Sequence, residues 1–337
     1  MPIIRLLIIL ISFSCSSSKV ISKTNAPFDG KQFDNIEPFE DKGLFSLLSW
    51  KVAGLSNSVP WPEKVDFKQY KPIQLKSKSP IITVINHATV LIQIDNINIL
   101  TDPHFSLRAS PFQFAGPKRI VPPGIRFEDI PKIDYILISH NHYDHLDLES
   151  LKRFYKRDKP KFLAGLRTKE FLNQNEITNA VDMDWWNTFN ADPVDITFVP
   201  SQHWSARGLF DKREMLWGGF YIKGNTSIYF AGDTGYGKFF KMIKEKLGKP
   251  TISLLPIGAY EPRWFMKDAH MNPSESVQAF IDLESDKMVG IHFGTFKLTD
   301  EGYKDPIIDL EKDILKRKLE LNKFIIPIFG KGYQLLE

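Results

Sequence analysis

From Ile81 onward the apolar positions fall in short bursts divided by turn residues. Ile81–Asn86, Thr89–Ile94 and Ile97–Thr101 are β-rich runs separated by pairs such as Asp95-Asn96, and they read as three successive strands. Asp134–Ser139 holds an unbroken apolar stretch, the pattern of a strand covered on both faces. A helix is predicted over Leu148–Tyr155. Further strands are predicted at Asp195–Pro200, Trp217–Ile222, Ser227–Ala231, Ile252–Pro256, Lys287–Ile291 and Phe324–Ile328. Helices are predicted at Lys238–Lys246, Pro273–Leu283 and Ile308–Leu319, with Asn272 placed to cap the one that begins at Pro273. Strands cluster early and alternate with helices later, so the expected class is a layered α/β domain with mixed sheets.

The amino end follows another pattern. Met1-Pro-Ile-Ile-Arg5 precedes an apolar run from Leu6 to Phe13, too short to span a bilayer, which needs about 20 residues. A positive start, a short apolar stretch and small residues describe an export signal over residues 1–14. Ser12-Phe13-Ser14-Cys15 resembles a bacterial lipoprotein signal, in which Cys15 carries the lipid. Residues 15–40 then read as a flexible tether and 41–337 as the folded domain. The expected location is the bacterial cell envelope, periplasm or outer membrane, with a membrane surface as partner through Cys15.

Composition narrows the chemistry. Hydrophobic residues at 42% and charged residues at 25% are ordinary globular values, which exclude disordered, coiled-coil and polytopic membrane chains. A formal charge of +4 over 337 residues gives no basic stripe for nucleic acid. Cys15 is the single cysteine, so a disulfide framework and a cysteine zinc site are both excluded.

The eight histidines all lie between residues 87 and 292, and three fall within six residues: His140, His142 and His145, with Asp144 before the last. They follow a buried strand directly, on the loop where sites form in open α/β sheets. Imidazole and carboxylate at this density suit zinc, with iron or manganese also compatible. His203, Asp233 and His292 each end a later apolar strand. Together the set is five histidines and two aspartates, enough for three ligands on each of two metals plus a bridging carboxylate. Such a pair can clamp both oxygens of a phosphoryl displacement and activate water without a Ser or Cys nucleophile.

This HxHxDH run, followed by His, Asp and His, resembles the metallo-β-lactamase superfamily. The resemblance implies an αββα four-layer sandwich with two Zn2+ at one edge. It implies His140, His142 and His203 on the first zinc, Asp144, His145 and His292 on the second, and Asp233 between them. Asp102, in Leu100-Thr-Asp-Pro, would orient a ligand histidine from behind. Over residues 60–335 the chain looks closer still to the N-acylphosphatidylethanolamine-hydrolysing phospholipase D family. The matching stretches include His87-Ala-Thr-Val, Gly116-Pro-Lys-Arg, Asp184-Trp-Trp, Ser201-Gln-His-Trp, Ala231-Gly-Asp-Thr-Gly-Tyr, Pro256-Ile-Gly-Ala-Tyr-Glu-Pro-Arg-Trp-Phe-Met and Ile291-His-Phe-Gly-Thr-Phe. The chain departs from the family at Asn86, usually Gly, and at His104, usually apolar.

The implied activity is hydrolysis of a phospholipid phosphodiester to phosphatidic acid and an N-acylethanolamine, with a metal-bridging hydroxide as nucleophile. Asp144, His270 and Tyr143 are the catalytic candidates. His270 would contact the phosphate or protonate the leaving group, and Tyr143 would touch the phosphate or simply pack. Arg263 and Trp264 could line the site mouth. His87, Trp185 and Trp186 read as core residues. Phe45–Trp50 could dip into a lipid interface or cover the core. The alternatives are a dizinc hydrolase of a lactone, thioester or soluble phosphodiester, and a zinc-stabilised lipid-binding lipoprotein without turnover.

Overall fold

Strands that are apolar on both sides need cover on both sides, and the layering supplies it. The computed structural model describes residues 24–335; residues 1–14, expected to be an export signal, and Cys15 lie outside the described residues. The first sheet contains β1 (Ile81–Asn86), β2 (Thr89–Ile94), β3 (Ile97–Thr101), β4 (Tyr135–Ile138), β5 (Lys161–Gly165), β6 (Ala180–Met183) and β14 (Tyr333–Gln334). The second contains β7 (Thr188–Ala191), β8 (Val194–Val199), β9 (Gly219–Lys223), β10 (Ser227–Phe230), β11 (Ile252–Pro256), β12 (Lys287–Ile291) and β13 (Phe324–Ile325). Strand order is β14-β1-β2-β3-β4-β5-β6 in one and β13-β12-β11-β10-β9-β8-β7 in the other. Both are mixed: β1, β2 and β3 pair antiparallel, whereas β3 to β6 and β10 to β13 run parallel.

Period-two alternation sorts the side chains into two cores. Val90, Ile92 and Leu137 face inward and join Phe198, Phe220 and Ile228 of the second sheet. Their neighbours Leu91, Ile136 and Ile138 point outward and meet Leu151 and Phe154 of α2 (Leu148–Asp158). Helix α3 (Thr168–Gln174) packs beside β6, and α4 (Phe239–Leu247), α6 (Pro273–Leu283) and α7 (Asp305–Lys316) pack together over the second sheet. The result is the four-layer αββα sandwich. α6 begins with the expected cap: Asn272 accepts from Glu275 N–H and Glu275 accepts from Asn272 N–H. β13 stops at Ile325, short of the predicted Ile328, because Pro327 has no N–H for the ladder. No helix among the described residues is long and apolar enough to cross a membrane.

The amino-terminal stretch differs from expectation. Residues 24–40, read from sequence as tether, pack onto the domain. Phe33 and Ala26 are fully buried in the inter-sheet core, Phe28 stacks on Phe33 at 4.6 Å, and Ala26 N–H donates to Asp184 at 3.1 Å. Two aromatic rings in a polar stretch are enough to seat it once a groove exists to receive them. Helix α1 (Leu44–Asn57) follows. Its Trp50 turns inward against Phe265 at 4.9 Å and donates to Asp300 at 2.8 Å, while Phe45, Leu48 and Val52 are exposed. A four-residue helix, α5 (Arg263–Met266), supplies Phe265.

Candidate metal centre

All seven candidate ligands emerge at one edge of the sandwich. His140, His142, Asp144 and His145 lie on the loop after β4; His203, Asp233 and His292 follow β8, β10 and β12. One sheet thus supplies four and the other three. The loops meet closely: a Cβ at Gly232 would stand 2.6 Å from the Ser139 Cβ, and Gly232 has φ +62°, so only glycine fits before Asp233. His292 (φ +60°) and Asp102 (φ +36°) also hold left-handed backbone, the kind of strain that persists where surrounding contacts over-determine a site.

The side chains converge as two half-sites. His140 Nε2 lies 2.9 Å from His142 Nδ1, and His203 Nε2 lies 3.2 Å from the same atom. Asp144 Oδ2 is 3.4 Å from both His145 Nε2 and His292 Nε2. Asp233 stands between the two sets, 3.1 Å from His145 and 3.0 Å from His292, and 3.8 Å from His203 and 4.0 Å from His140.

The donor set fits cations. His145 Nε2, His292 Nε2 and Asp233 Oδ1 are buried without a hydrogen-bond partner, because their close approaches are not aligned as hydrogen bonds. Three imidazoles are held by their other nitrogen, as metal-binding histidines usually are. His145 Nδ1 donates to Asp102 Oδ2 at 2.7 Å, His203 Nδ1 to Ala269 O at 2.9 Å, and His140 Nδ1 lies 2.9 Å from Ser139 Oγ. Asp102 is fixed in turn by the Ser139 N–H at 2.8 Å and hydroxyl at 2.6 Å.

Electrostatics agree with this reading. Burial, then the neighbouring imidazoles, hold His140 well below its ordinary value; burial likewise lowers His203, and brings His142 down to about 4. These three are neutral at pH 7 and ready to donate lone pairs. For Asp144 and Asp233 burial alone would raise the pKa, but the surrounding imidazoles outweigh it and keep both ionised. Burial would lower His145 and His292, yet Asp233 and Asp144 raise the first well above 6.5 and the second to about 9. Without metal, His145 and His292 thus hold protons beside Asp144 and Asp233. Cation uptake by the metal-free protein near pH 7 is therefore expected to release protons. Calorimetry in buffers of different ionisation enthalpy checks this; equal heats in all buffers would contradict it.

Sequence reasoning missed one residue that braces the centre. Asn35 is buried and grips the backbone of His203, donating Nδ2–H to its carbonyl at 2.8 Å and accepting its N–H at 3.0 Å. Asn35→Ala leaves two buried backbone groups unpaired, so it is expected to cost about 2–3 kcal/mol and weaken metal binding. Urea unfolding and chelator competition measure the two effects.

A cavity of about 560 Å³ opens onto the cluster. His142, Asp144, Asp233 and His270 lie at the cluster end, Leu47, Trp50, Trp204, Phe265, Met266 and Leu298 give the wall its mainly apolar character, and Glu40, Lys42, Lys212 and Asp268 also line it. Phe265 and Met266 belong to the Pro256–Met266 motif; Leu47, Trp50 and Leu298 are brought in by tertiary packing. His270 Nδ1 reaches within 3.8 Å of Asp233, and its carbonyl accepts from Arg263 at 2.8 Å. Arg263 also pairs with Glu275 at 2.7 Å, so it steadies the His270 loop from behind instead of lining the mouth. Trp264 is half exposed, edge-on to Phe265, and does not line the cavity. Tyr143 lines the cavity, but its hydroxyl donates to Arg207 O at 3.0 Å and the Arg207 guanidinium sits 4.0 Å over its ring. In this arrangement its donor is engaged by Arg207, in keeping with the packing role, the other of its two expected roles. Trp185 is a core residue as expected, donating to Trp217 O at 2.8 Å.

Comparison with known proteins places this geometry in context. A family model described as beta-lactamase superfamily domain matches residues 97–293. N-acyl-phosphatidylethanolamine-hydrolyzing phospholipase D 1 of Caenorhabditis elegans is 40% identical over 237 residues, covering 66% of this chain and 67% of that protein. The mitochondrial N-acyl-phosphatidylethanolamine-hydrolyzing phospholipase D of Saccharomyces cerevisiae is 40% identical over 225 residues, 64% of this chain but only 48% of the yeast protein. Among solved structures, Igni18, a metallo hydrolase from the archaeon Ignicoccus hospitalis, superposes with a TM-score of 0.56 at 21% identity, over 76% of this chain and 97% of its own.

Proposed function

Because this chain belongs to the metallo-β-lactamase superfamily, close to the N-acylphosphatidylethanolamine-hydrolysing phospholipases D, we propose that it hydrolyses the phosphodiester of such a phospholipid at a two-zinc centre. It is a hydrolase of the metallo-β-lactamase fold. The observation that carries the proposal is the junction of two environments: an apolar cavity that ends on the His/Asp cluster. Acyl chains suit the first and a phosphate the second. When bound, the cations would supply Lewis acidity toward the phosphate and lower the pKa of water.

The chain's own residues carry the rest. In the overall hydrolysis a water oxygen joins phosphorus, the bond to the ethanolamine oxygen breaks, and that oxygen takes a proton. Asp233 and Asp144 provide the negative charge that holds the centre. Leu47, Trp50, Phe265 and Met266 seat acyl chains and exclude water from the polar end. His270, at the junction, is placed to hydrogen-bond the phosphate. Burial, the largest influence on it, lowers its pKa to about 4, so at neutral pH it is an uncharged ring offering one N–H. His270→Ala is expected to lower kcat by about 10²–10⁴ with metal content unchanged. No limb near pH 6.5 should arise from His270 in the rate profile between pH 6 and 8. A limb that His270→Gln removes would contradict this assignment.

The deciding experiment incubates the pure, zinc-loaded protein with liposomes of N-acylated phosphatidylethanolamine and follows products by mass spectrometry. Phosphatidic acid and N-acylethanolamine are expected; turnover confined to lactones, thioesters or water-soluble phosphodiesters would overturn the proposal. Lipid attachment at Cys15, outside the described residues, is proposed on the sequence motif alone, and with it a place in the bacterial envelope. Continued partitioning of Cys15→Ala with membranes would remove it.

A further inference from the structure

His87 was read from sequence as a core histidine, yet its surroundings give it a role in the metal centre. It sits in the two-residue turn between β1 and β2 with φ +42°, a left-handed backbone. Three contacts fix this turn. His87 N–H donates to Thr295 Oγ1 at 2.9 Å, His87 O accepts from His292 N–H at 2.8 Å, and Thr101 Oγ1 donates to Ala88 O at 2.7 Å. The ring is clamped as firmly, 3.9 Å from the His292 ring and edge-on to Phe296 at 5.3 Å. Held this way, Nε2 lies 3.0 Å from Asp144 Oδ2. An ionised carboxylate can only accept, so Nε2 carries the proton. Nδ1 is then the bare nitrogen, in keeping with its burial without a partner.

Asp144 needs such a partner more than the other ligands do. It is the more exposed of the two candidate ligand carboxylates, with 14% of its side chain exposed against 2% for Asp233, and it sits on a loop that lines the cavity. Its approaches to His145 and His292 are 3.4 Å, longer than the His87 bond. Asp102 and Ser139 brace His145, and Ala269 braces His203, but none of these touches Asp144. Without the His87 N–H the carboxylate is free to turn toward the cavity.

We propose that His87 is the positioning residue of the second half-site: its Nε2–H holds Asp144 in place for the second cation without itself binding metal. The inference rests on the two-cation reading of the centre and not on the identity of the substrate. Loss of such an outer partner weakens metal binding by about 10–100-fold. The effect should be confined to one site, since His140, His142 and His203 have no bond to His87.

The test compares wild type, His87→Leu and His87→Gln by competitive zinc titration and by X-ray absorption at the zinc edge. Leu fills space without a donor, whereas Gln returns an N–H close to the position of Nε2. The melting curve of each metal-free variant establishes that it folds. Expected for His87→Leu is a tight zinc of unchanged affinity and a second one weakened about 10–100-fold, with His87→Gln recovering most of the loss. Equal weakening of both zincs, or of neither, overturns the proposal. Loss of one imidazole from the zinc environment in His87→Gln also overturns it, because the ring would then be a ligand. Wild type that takes up a single zinc would instead overturn the two-cation reading, which distinguishes the two failures.

Discussion

Asp233→Ala is expected to reduce turnover by about a thousandfold or more and to leave less than a full complement of metal. Asp233 lies within 4.0 Å of histidines from both half-sites: His140 and His203 on one side, His145 and His292 on the other. Its loss leaves the imidazoles of both sets facing one another with one of the two candidate ligand carboxylates gone. Metal assistance worth several kcal/mol corresponds to a factor of about 10³ at 1.36 kcal/mol per decade. Steady-state kinetics on mixed liposomes together with elemental analysis measures both parts. His142→Ala should act on the first half-site alone, because His142 Nδ1 contacts His140 and His203. Near-wild-type rates in Asp233→Ala would remove the bridging assignment.

Metal removal is expected to abolish activity and, separately, to lower stability. The four ligands after β4 hang from one sheet and the three after β8, β10 and β12 from the other. Ions bound between them favour the docked sandwich over any state in which the sheets part. At free zinc a thousandfold above Kd the linkage is about 4 kcal/mol per site. A melting temperature that climbs with free zinc, measured with chelator-buffered solutions, is the expected result. The inter-sheet core of Phe198, Phe220 and their partners needs no metal, so the chelated protein should keep its far-UV spectrum below the transition. A melting temperature indifferent to zinc would mean that the ligands do not act across the two sheets.

Much of the site could be read in the sequence, for a physical reason. Four candidate ligands fall within six consecutive positions on one loop, and the other three each follow an apolar run of strand character. Side-chain identity and strand periodicity are local properties, so they are visible in one dimension. The missed strands are β5, β6, β7 and β14: the last three lie at sheet edges, and β7 alternates between exposed and buried positions in only four residues, whereas β5 is an interior strand whose apolar run, residues 162–164, is only three residues long. Residues 24–40 were misjudged because a polar, loop-like stretch gives no sign of the groove that receives Phe33. Asn35 was invisible because its partner lies 168 residues away. The cavity was hidden likewise: α1 and the segment from Ala259 to His270 form a wall only after folding. Tyr143 was open between a phosphate contact and packing, and only the fold shows that its hydroxyl donates to Arg207 O.

The grip of Asn35 on His203 bears on where a shortened version of this chain could begin. A cut at residue 41, which composition alone would recommend, would discard Phe33 and Asn35 together and leave the candidate ligand His203 without its brace. A soluble version made that way should express yet load metal poorly. One that begins at residue 24 keeps both, so the choice of first residue decides whether an inactive preparation says anything about the enzyme.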